Sequence, residues 1–512
     1  MNRVLVLSAA LAIPLMLSVA TGVQAHAAAS GCQNIAAPSV PGASVQSITA
    51  TDVPAGHDAP AHCEVHVYLT HPGAEDHVLV DVWLPDSGWN GRFEGTGGGG
   101  YAAGEFDIEL APAIEGGYAA AATDAGVGVN ALSPAAWALT PSGAVNTPLL
   151  TNFAYRSVHD MTVAAKQIVA SVYARQVAYS YWDGCSTGGR QGLMEAQRYP
   201  TDYNGIMAAA PAINWSRLTL AQFWPQLVMN EENDHPSGCE LNAFTQAAIA
   251  ACDRSDPVNG GIIDQPQNCG FDPRSLIGTK VECYGQTLTI TATDADVVSK
   301  IWQGPQPLWY GLNKGAELDL LAGTTTTPSG ASVGAPFPIP QTWIQYFLKR
   351  NPDFDTSTVT YAQFIPLLVQ SEVEYDGIIG TNDPNLSAFA AAGGKMITWQ
   401  GLADPLIFPQ GTANYYQRVG GERTVDSFYR LFFAPGVGHC AGGNGPMPTD
   451  PLGAVANWVE HGVAPATLPA ATVDSSGTAI TRNLCAYPEL ATYNGSGDPA
   501  SAASYHCAVT RS

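Results

Sequence analysis

The stretch "VAYSYWDGCSTGGRQGLMEAQRYP", Val177 to Pro200, decides how the chain is read. Its opening, Val177 to Gly184, is aromatic and short, which predicts a buried strand. From Gly188 the residues favour a helix, and Pro200 stops it. Between the two lies Gly184-Cys185-Ser186-Thr187-Gly188, the pattern G-x-S-x-G. A sharp strand-to-helix turn needs small residues on both sides of the serine, because the backbone is strained and the helix packs close. Such a turn lifts the hydroxyl out at the carboxyl end of a sheet. The helix N-terminus beneath it offers backbone N–H groups and a positive dipole end, which favour a developing oxyanion. A bare Gly/Ser turn carries the same letters, but the flanking strand and helix make Ser186 the expected nucleophile.

Working outward, the same alternation continues. Upstream, "CEVHVYLTHP" and "DHVLVDVWLP" read as two antiparallel strands joined by a polar turn, Pro72 to Asp76. "NGRFEGTGGGGYAAG" is a strand end entering a glycine-rich loop, and Tyr118 to Thr123 is a further buried strand. "FAYRSVHDMTVAAKQIVASVYAR" has apolar residues at helical spacing. Downstream, "YNGIMAAAPA" is another buried strand. Strand, helix, strand, helix, strand is the signature of a parallel α/β sheet. After Asn214 the chain becomes rich in Trp, Pro, Asn and Thr and loses that alternation until about Gly393. The pattern resumes with a strand from Lys395 to Gly401 and ends with "VDSFYRLFFAPGVGHC". The expected organisation is a signal peptide at 1–25, a first core segment at 26–213, an inserted domain at 214–393 and a second core segment at 394–512. Its tail is expected to be loop-rich and tied down by Cys485 and Cys507.

The signal-peptide reading rests on Arg3, the apolar run from Val4 to about Ala20 and the small-x-small ending Val23-Gln24-Ala25. The run is short for a bilayer span. Ten cysteines in an exported chain point to disulfides. A net charge of -23 argues against nucleic acid and anionic membrane surfaces as partners. The sequence carries no signature of oligomeric state.

A serine hydroxyl is a poor nucleophile until a base takes its proton. In the order Ser, Asp, His, the base lies downstream, where His235, His439, His461 and His506 stand. Only His439 sits in a glycine-flanked loop straight after a core strand. The acid that orients it is expected at another strand end. Asp404 follows a buried strand, with Pro405 fixing the turn; Asp426, the rival, begins a strand. If Ser186 and His439 share a hydrogen bond, their neighbours Cys185 and Cys440 fall within the Cα separation a disulfide needs, about 4.4–6.8 Å. That bond would staple the serine turn to the histidine loop.

"GCSTGGRQG", "GLADPLI" and "GVGHCAGG" together resemble the tannase and feruloyl esterase family of secreted serine esterases. The likeness extends over nearly the whole chain past the leader and includes "GTGGGGYAAG" and "YDGIIGTNDPNLSAF". The resemblance implies an α/β-hydrolase fold with a large inserted lid domain, a catalytic Ser186–Asp404–His439 triad, and hydrolysis of esters of aromatic carboxylic acids. It implies oxyanion donors at the N–H of Thr187 and at Gly98 or Gly99. It implies further disulfides Cys32–Cys63, Cys252–Cys269 and Cys485–Cys507, leaving Cys239 with Cys283. It also implies a structural calcium ion in the lid, held by Asp253, Asp256, the carbonyls of Val258 and Ile262, and a carboxylate at the position that Gly260 occupies here. Losing that charge weakens a site for a cation wanting six to eight oxygens, with Asn259 or Asp264 the residues expected to compensate in a different geometry.

The substrate is expected to be a small aromatic ester or a feruloylated polysaccharide. Feruloyl esters of plant cell wall come first, galloyl esters second, and terephthalate half-esters are a further alternative. Candidates to hold the ring are Trp215, Phe223, Trp224, Trp302, Trp309, Tyr310, Trp343 and Phe347. Two other classes share these features: a non-catalytic secreted binding protein on the same scaffold, and a protease with an extended groove.

Overall fold

The structure, a computed structural model, describes residues 32–57, 59–255, 258–327, 331–420 and 425–509. The expected leader at 1–25 and Asp256 lie outside them. Nine strands form one sheet: β1 (Ser44–Val53), β2 (His62–Thr70), β3 (Val78–Pro85), β4 (Arg92–Thr96), β5 (Ala119–Thr123), β6 (Tyr179–Cys185), β7 (Gly205–Ala209), β8 (Lys395–Gly401) and β9 (Tyr429–Ala434). Their order is β1-β2-β3-β5-β4-β6-β7-β8-β9. The β1–β2, β2–β3 and β3–β5 pairs are antiparallel. Every later pair, from β5–β4 to β8–β9, is parallel. This is the α/β-hydrolase arrangement, and it puts the carboxyl ends of β6, β8 and β9 at one edge of the sheet, with β7 between β6 and β8.

The burial of each strand follows from its neighbours. In β2, Val65, Val67 and Leu69 alternate with half-exposed residues. β5 reads Ala-Ala-Ala-Ala-Thr and is buried throughout, because both faces of a parallel sheet are covered. Of the principal helices, α1 (Ser157–Tyr173) packs Val158, Met161, Ile168 and Val169 against one face. α2 (Thr187–Arg198) follows β6 and is buried over most of its length. α7 (Pro451–His461) lays Val455 and Trp458 on the other face, against Tyr181, Ile397 and Trp399.

Between β7 and β8 the chain leaves the sheet for α3 (Trp215–Glu232), α4 (Gly238–Cys252), α5 (Ala292–Gln303) and α6 (Tyr361–Ile379). These helices share an apolar core that includes Phe223, Phe244, Trp343 and Phe347. The first and last turns of this excursion are stitched together. Trp215 N–H donates to the Gly380 carbonyl, and the Ser216 hydroxyl donates to Asp376.

Three local readings change. The polar β1 was not expected as a strand; exposed along most of its length, it shows no apolar alternation. The long helix opens with a π-turn at Asn152–Arg156 before α1 proper. The tail is not mainly loop: it forms hairpins from Thr467–Val473 with Ala479–Cys485 and from Glu489–Tyr493 with Tyr505–Val509. All ten cysteines are paired, as Cys32–Cys63, Cys185–Cys440, Cys239–Cys283, Cys252–Cys269 and Cys485–Cys507. Among the described residues, no helix is long and apolar enough to cross a membrane.

Candidate active site

Ser186 is the pivot between β6 and α2, with φ 61° and ψ -118°. A non-glycine residue in that region is strained and is held there only by its surroundings. Here the surroundings are backbone. Ser186 N–H donates to the Ala209 carbonyl at the end of β7, and its own carbonyl accepts from Arg190 and Ala212. A Cβ on Gly184 would stand 2.6 Å from the Gly188 carbonyl carbon, and one on Gly97 would stand 2.3 Å from Gly188 Cα. The small residues are therefore a steric requirement of the turn.

Two residues the sequence reading passed over hold this turn from behind. Arg190 is fully buried and donates to the carbonyls of Phe153 and Ala154. It has no carboxylate partner among the described residues, and burial pushes its guanidinium down to about 9. Its Cζ lies 5.1 Å from the Phe153 ring centroid and 5.6 Å from that of Trp215, which compensates part of the desolvation. Gln191 donates to the Ala103 carbonyl and accepts from Gly98 N–H, tying the glycine loop to α2. The letters "RQG" carried no signal of this, because a buried polar partner is set by tertiary contacts.

That last bond separates the two oxyanion candidates. Gly98 N–H is spent on Gln191, and the Gly98 carbonyl accepts from Gly188 N–H. Among the described residues, the N–H groups of Gly99 and Thr187 have no partner. The Thr187 hydroxyl donates to the Gly100 carbonyl, which fixes the loop against the start of α2.

His439 follows β9 in a tight loop where the carbonyl of residue 439 accepts from Ala441 N–H. Its Nδ1 stands 2.9 Å from Asp404 Oδ2. Asp404 is fully buried after β8, and its other oxygen accepts from the N–H groups of Leu406 and Ile407 at 2.8 and 2.9 Å. A carboxylate so held fixes the imidazole tautomer and orientation. Asp426 instead accepts from the Tyr416 hydroxyl. His235 faces Asn230, and His506 faces Asn494. Cys185 and Cys440 are bonded with their Cα atoms 5.9 Å apart, so the serine turn and the histidine loop are joined covalently. Neither Ser186 Oγ nor His439 Nε2 has a hydrogen-bond partner among the described residues. Catalytic hydrogen bonds are often long before substrate binds.

Two spaces flank the Asp404 loop. On the serine side, Ser186, Trp215, Leu218, Gln222, Ile339 and Ile407 line a cavity of about 20 Å³, room for a single water. On the histidine side, about 430 Å³ opens between His439 and α4, lined by Asn242, Gln246, Lys314, Glu317 and Asn444 among others. Of the eight aromatic candidates only Trp215 lines the serine cavity, joined by Phe337. Phe223, Trp343 and Phe347 are buried in an apolar cluster that also takes in Tyr101, Trp137 and Phe153.

The proposed calcium loop is braced by itself. Asp253 accepts from Gly260 N–H and Gly261 N–H at 2.9 and 3.2 Å. Gly260 N–H also reaches the Val258 carbonyl. Ile262 packs its side chain against Gly436 of the histidine loop. Of the expected carboxylates, Asp253 and Asp256, only Asp253 lies among the described residues, and the glycine at 260 adds none, so these residues alone fall short of the oxygen set that calcium wants.

Topology and site together define an α/β-hydrolase, and the chain is a carboxylic ester hydrolase. It belongs to the tannase and feruloyl esterase family, whose model, "Tannase and feruloyl esterase", matches residues 63–508. A protein named probable feruloyl esterase from Arthroderma benhamiae is 46% identical over 502 residues, 93% of each chain. The tannin acyl hydrolase from Aspergillus niger superposes with a TM-score of 0.83 at 26% identity, over 92% of each chain. Feruloyl esterase B from Aspergillus oryzae gives 0.77 at 27%, over 92% of this chain and 97% of its own.

Proposed function

We propose that the protein is a secreted feruloyl esterase, cleaving hydroxycinnamate esters of plant cell-wall polysaccharide by serine catalysis. His439, oriented by Asp404, takes the Ser186 proton as the hydroxyl oxygen attacks the ester carbonyl. The oxyanion rests on the N–H groups of Thr187 and Gly99. Collapse expels the alcohol, protonated by His439, and leaves the acyl-enzyme. Water then attacks it, giving a proton to His439; collapse breaks the Ser186 Oγ–acyl bond, His439 returns the proton to Ser186 Oγ, and the free acid departs. The aromatic acyl group lies on the serine side and the alcohol on the histidine side, where the proton is delivered.

One observation carries this reading. The strained Ser186 turn is bonded through Cys185–Cys440 to the loop whose imidazole rests on buried Asp404. Five disulfides and the apolar leader support export. The test is turnover of methyl ferulate, methyl gallate and a terephthalate half-ester by the protein and by Ser186→Ala. The protein should favour methyl ferulate, and Ser186→Ala should lose about 10⁴- to 10⁶-fold in kcat while melting normally. Turnover retained by Ser186→Ala ends the reading; a preference for gallate or terephthalate moves the substrate class.

A further inference from the structure

We infer that Gln222 is the specificity-determining contact for the phenolic hydroxyl of the acyl group. The inference rests on the feruloyl ester reading above and names a residue within it. Trp215, Leu218, Thr219 and Gln222 fall at i, i+3, i+4 and i+7 of α3, so they share one face, and all four line the serine cavity. α3 starts close to the nucleophile: the Ala212 N–H donates to the Ser186 carbonyl three residues before Trp215. At 1.5 Å per residue, Gln222 lies about 10 Å further along the axis than Trp215. The helix face therefore has a near end at the serine and a far end at the glutamine, with the single-water cavity between them.

The polar atoms on that face are mostly satisfied. The Thr219 hydroxyl donates to the Trp215 carbonyl, and Gln222 Nε2 donates to the Leu406 carbonyl at 3.0 Å. Gln222 Oε1 is buried with no partner, on a residue only 5% exposed. An orphaned buried acceptor is costly, and a donor arriving with the substrate removes that cost. The para hydroxyl of a hydroxycinnamoyl group is such a donor, and the vinyl spacer carries it further from the ester than a galloyl ring would. Trp215 Nε1 is the second orphan on this face and is a donor, nearer the serine. The ring enters by pushing Phe337 and Ile339 away from α3.

The experiment compares kcat/KM for methyl p-coumarate, methyl ferulate, methyl cinnamate and methyl 3,4-dimethoxycinnamate. The protein should prefer the two free phenols. Gln222→Met should cut the p-coumarate to cinnamate ratio about 10- to 100-fold, while Gln222→Glu, which keeps an acceptor, should retain the preference. If Gln222→Met slows all four esters equally, Gln222 only supports the Asp404 loop through Leu406 and the inference is overturned. Equal rates on cinnamate and p-coumarate by the unaltered protein overturn it as well. Inactivity on every hydroxycinnamate, with activity elsewhere, would instead remove the feruloyl reading.

Discussion

On one side of the Asp404 loop, Leu406 and Ile407 help close a cavity of about 20 Å³ over Ser186; on the other, Leu402, Ala403 and Pro405 border about 430 Å³ reaching His439. The first is mostly apolar and walled by one helix face. The second is lined by amides, a lysine and a glutamate. Under the proposed reaction the narrow side reads the acid and the wide side receives the alcohol. Discrimination is then strict for the acyl group and loose for what it was esterified to. A polymer-bound ester needs that asymmetry, since the sugar part varies and is bulky.

The largest effect tests whether the two spaces form one site. Asp404→Asn should lower kcat by about 10⁴-fold on methyl and sugar esters alike, because it unseats the imidazole that serves both. A loss confined to one kind of ester would split the site. The next tests the wide side alone. Gln246→Leu combined with Lys314→Met should leave methyl ferulate unchanged and cut kcat/KM for a feruloylated arabinose oligosaccharide by about tenfold. Equal loss on both esters would place these residues elsewhere in the reaction.

A smaller effect concerns what lies beneath each side. Asp183, three residues before the serine, has its carboxyl pushed up to about 7 by burial, helped by the charges of Glu109 and Asp450. Its unfolded value is near 4, so between those pH values the folded chain holds a proton that the unfolded chain lacks. That group's contribution therefore falls as pH rises from about 4 to 7. Asp183→Asn should raise Tm by a few degrees at pH 8 and change it little at pH 4. A pH-independent shift in Tm would refute this. The smallest effect is a null one. The Asp253 loop walls the histidine side through Gly261 and Ile262, and excess chelator should leave Tm and turnover unchanged; a clear fall in Tm would restore calcium to that wall.

The serine turn and the histidine loop were legible because their signals are local. A strand, a tight turn of small residues and a helix follow one another within Val177 to Pro200. Asp404 was legible by the same rule, as a residue just past a strand end. What was not legible depends on partners far along the chain. Nothing in "GGGG" distinguishes Gly98 from Gly99 until Gln191 is seen to occupy one N–H. A helical arginine is ordinarily exposed, whereas Arg190 is buried against the carbonyls of Phe153 and Ala154. The aromatic candidates looked alike in sequence, yet most of them fill or flank an apolar cluster shared with Tyr101, Trp137 and Phe153. Helix periodicity does not say which neighbour a face will meet.

The bond between Cys185 and Cys440 spans 255 positions and encloses the whole excursion from α3 to α6. An extracellular protease that nicks any single peptide bond between those two cysteines therefore cannot separate the resulting fragments. The strand bearing the serine turn and the loop bearing the imidazole stay tethered on either side of the cut.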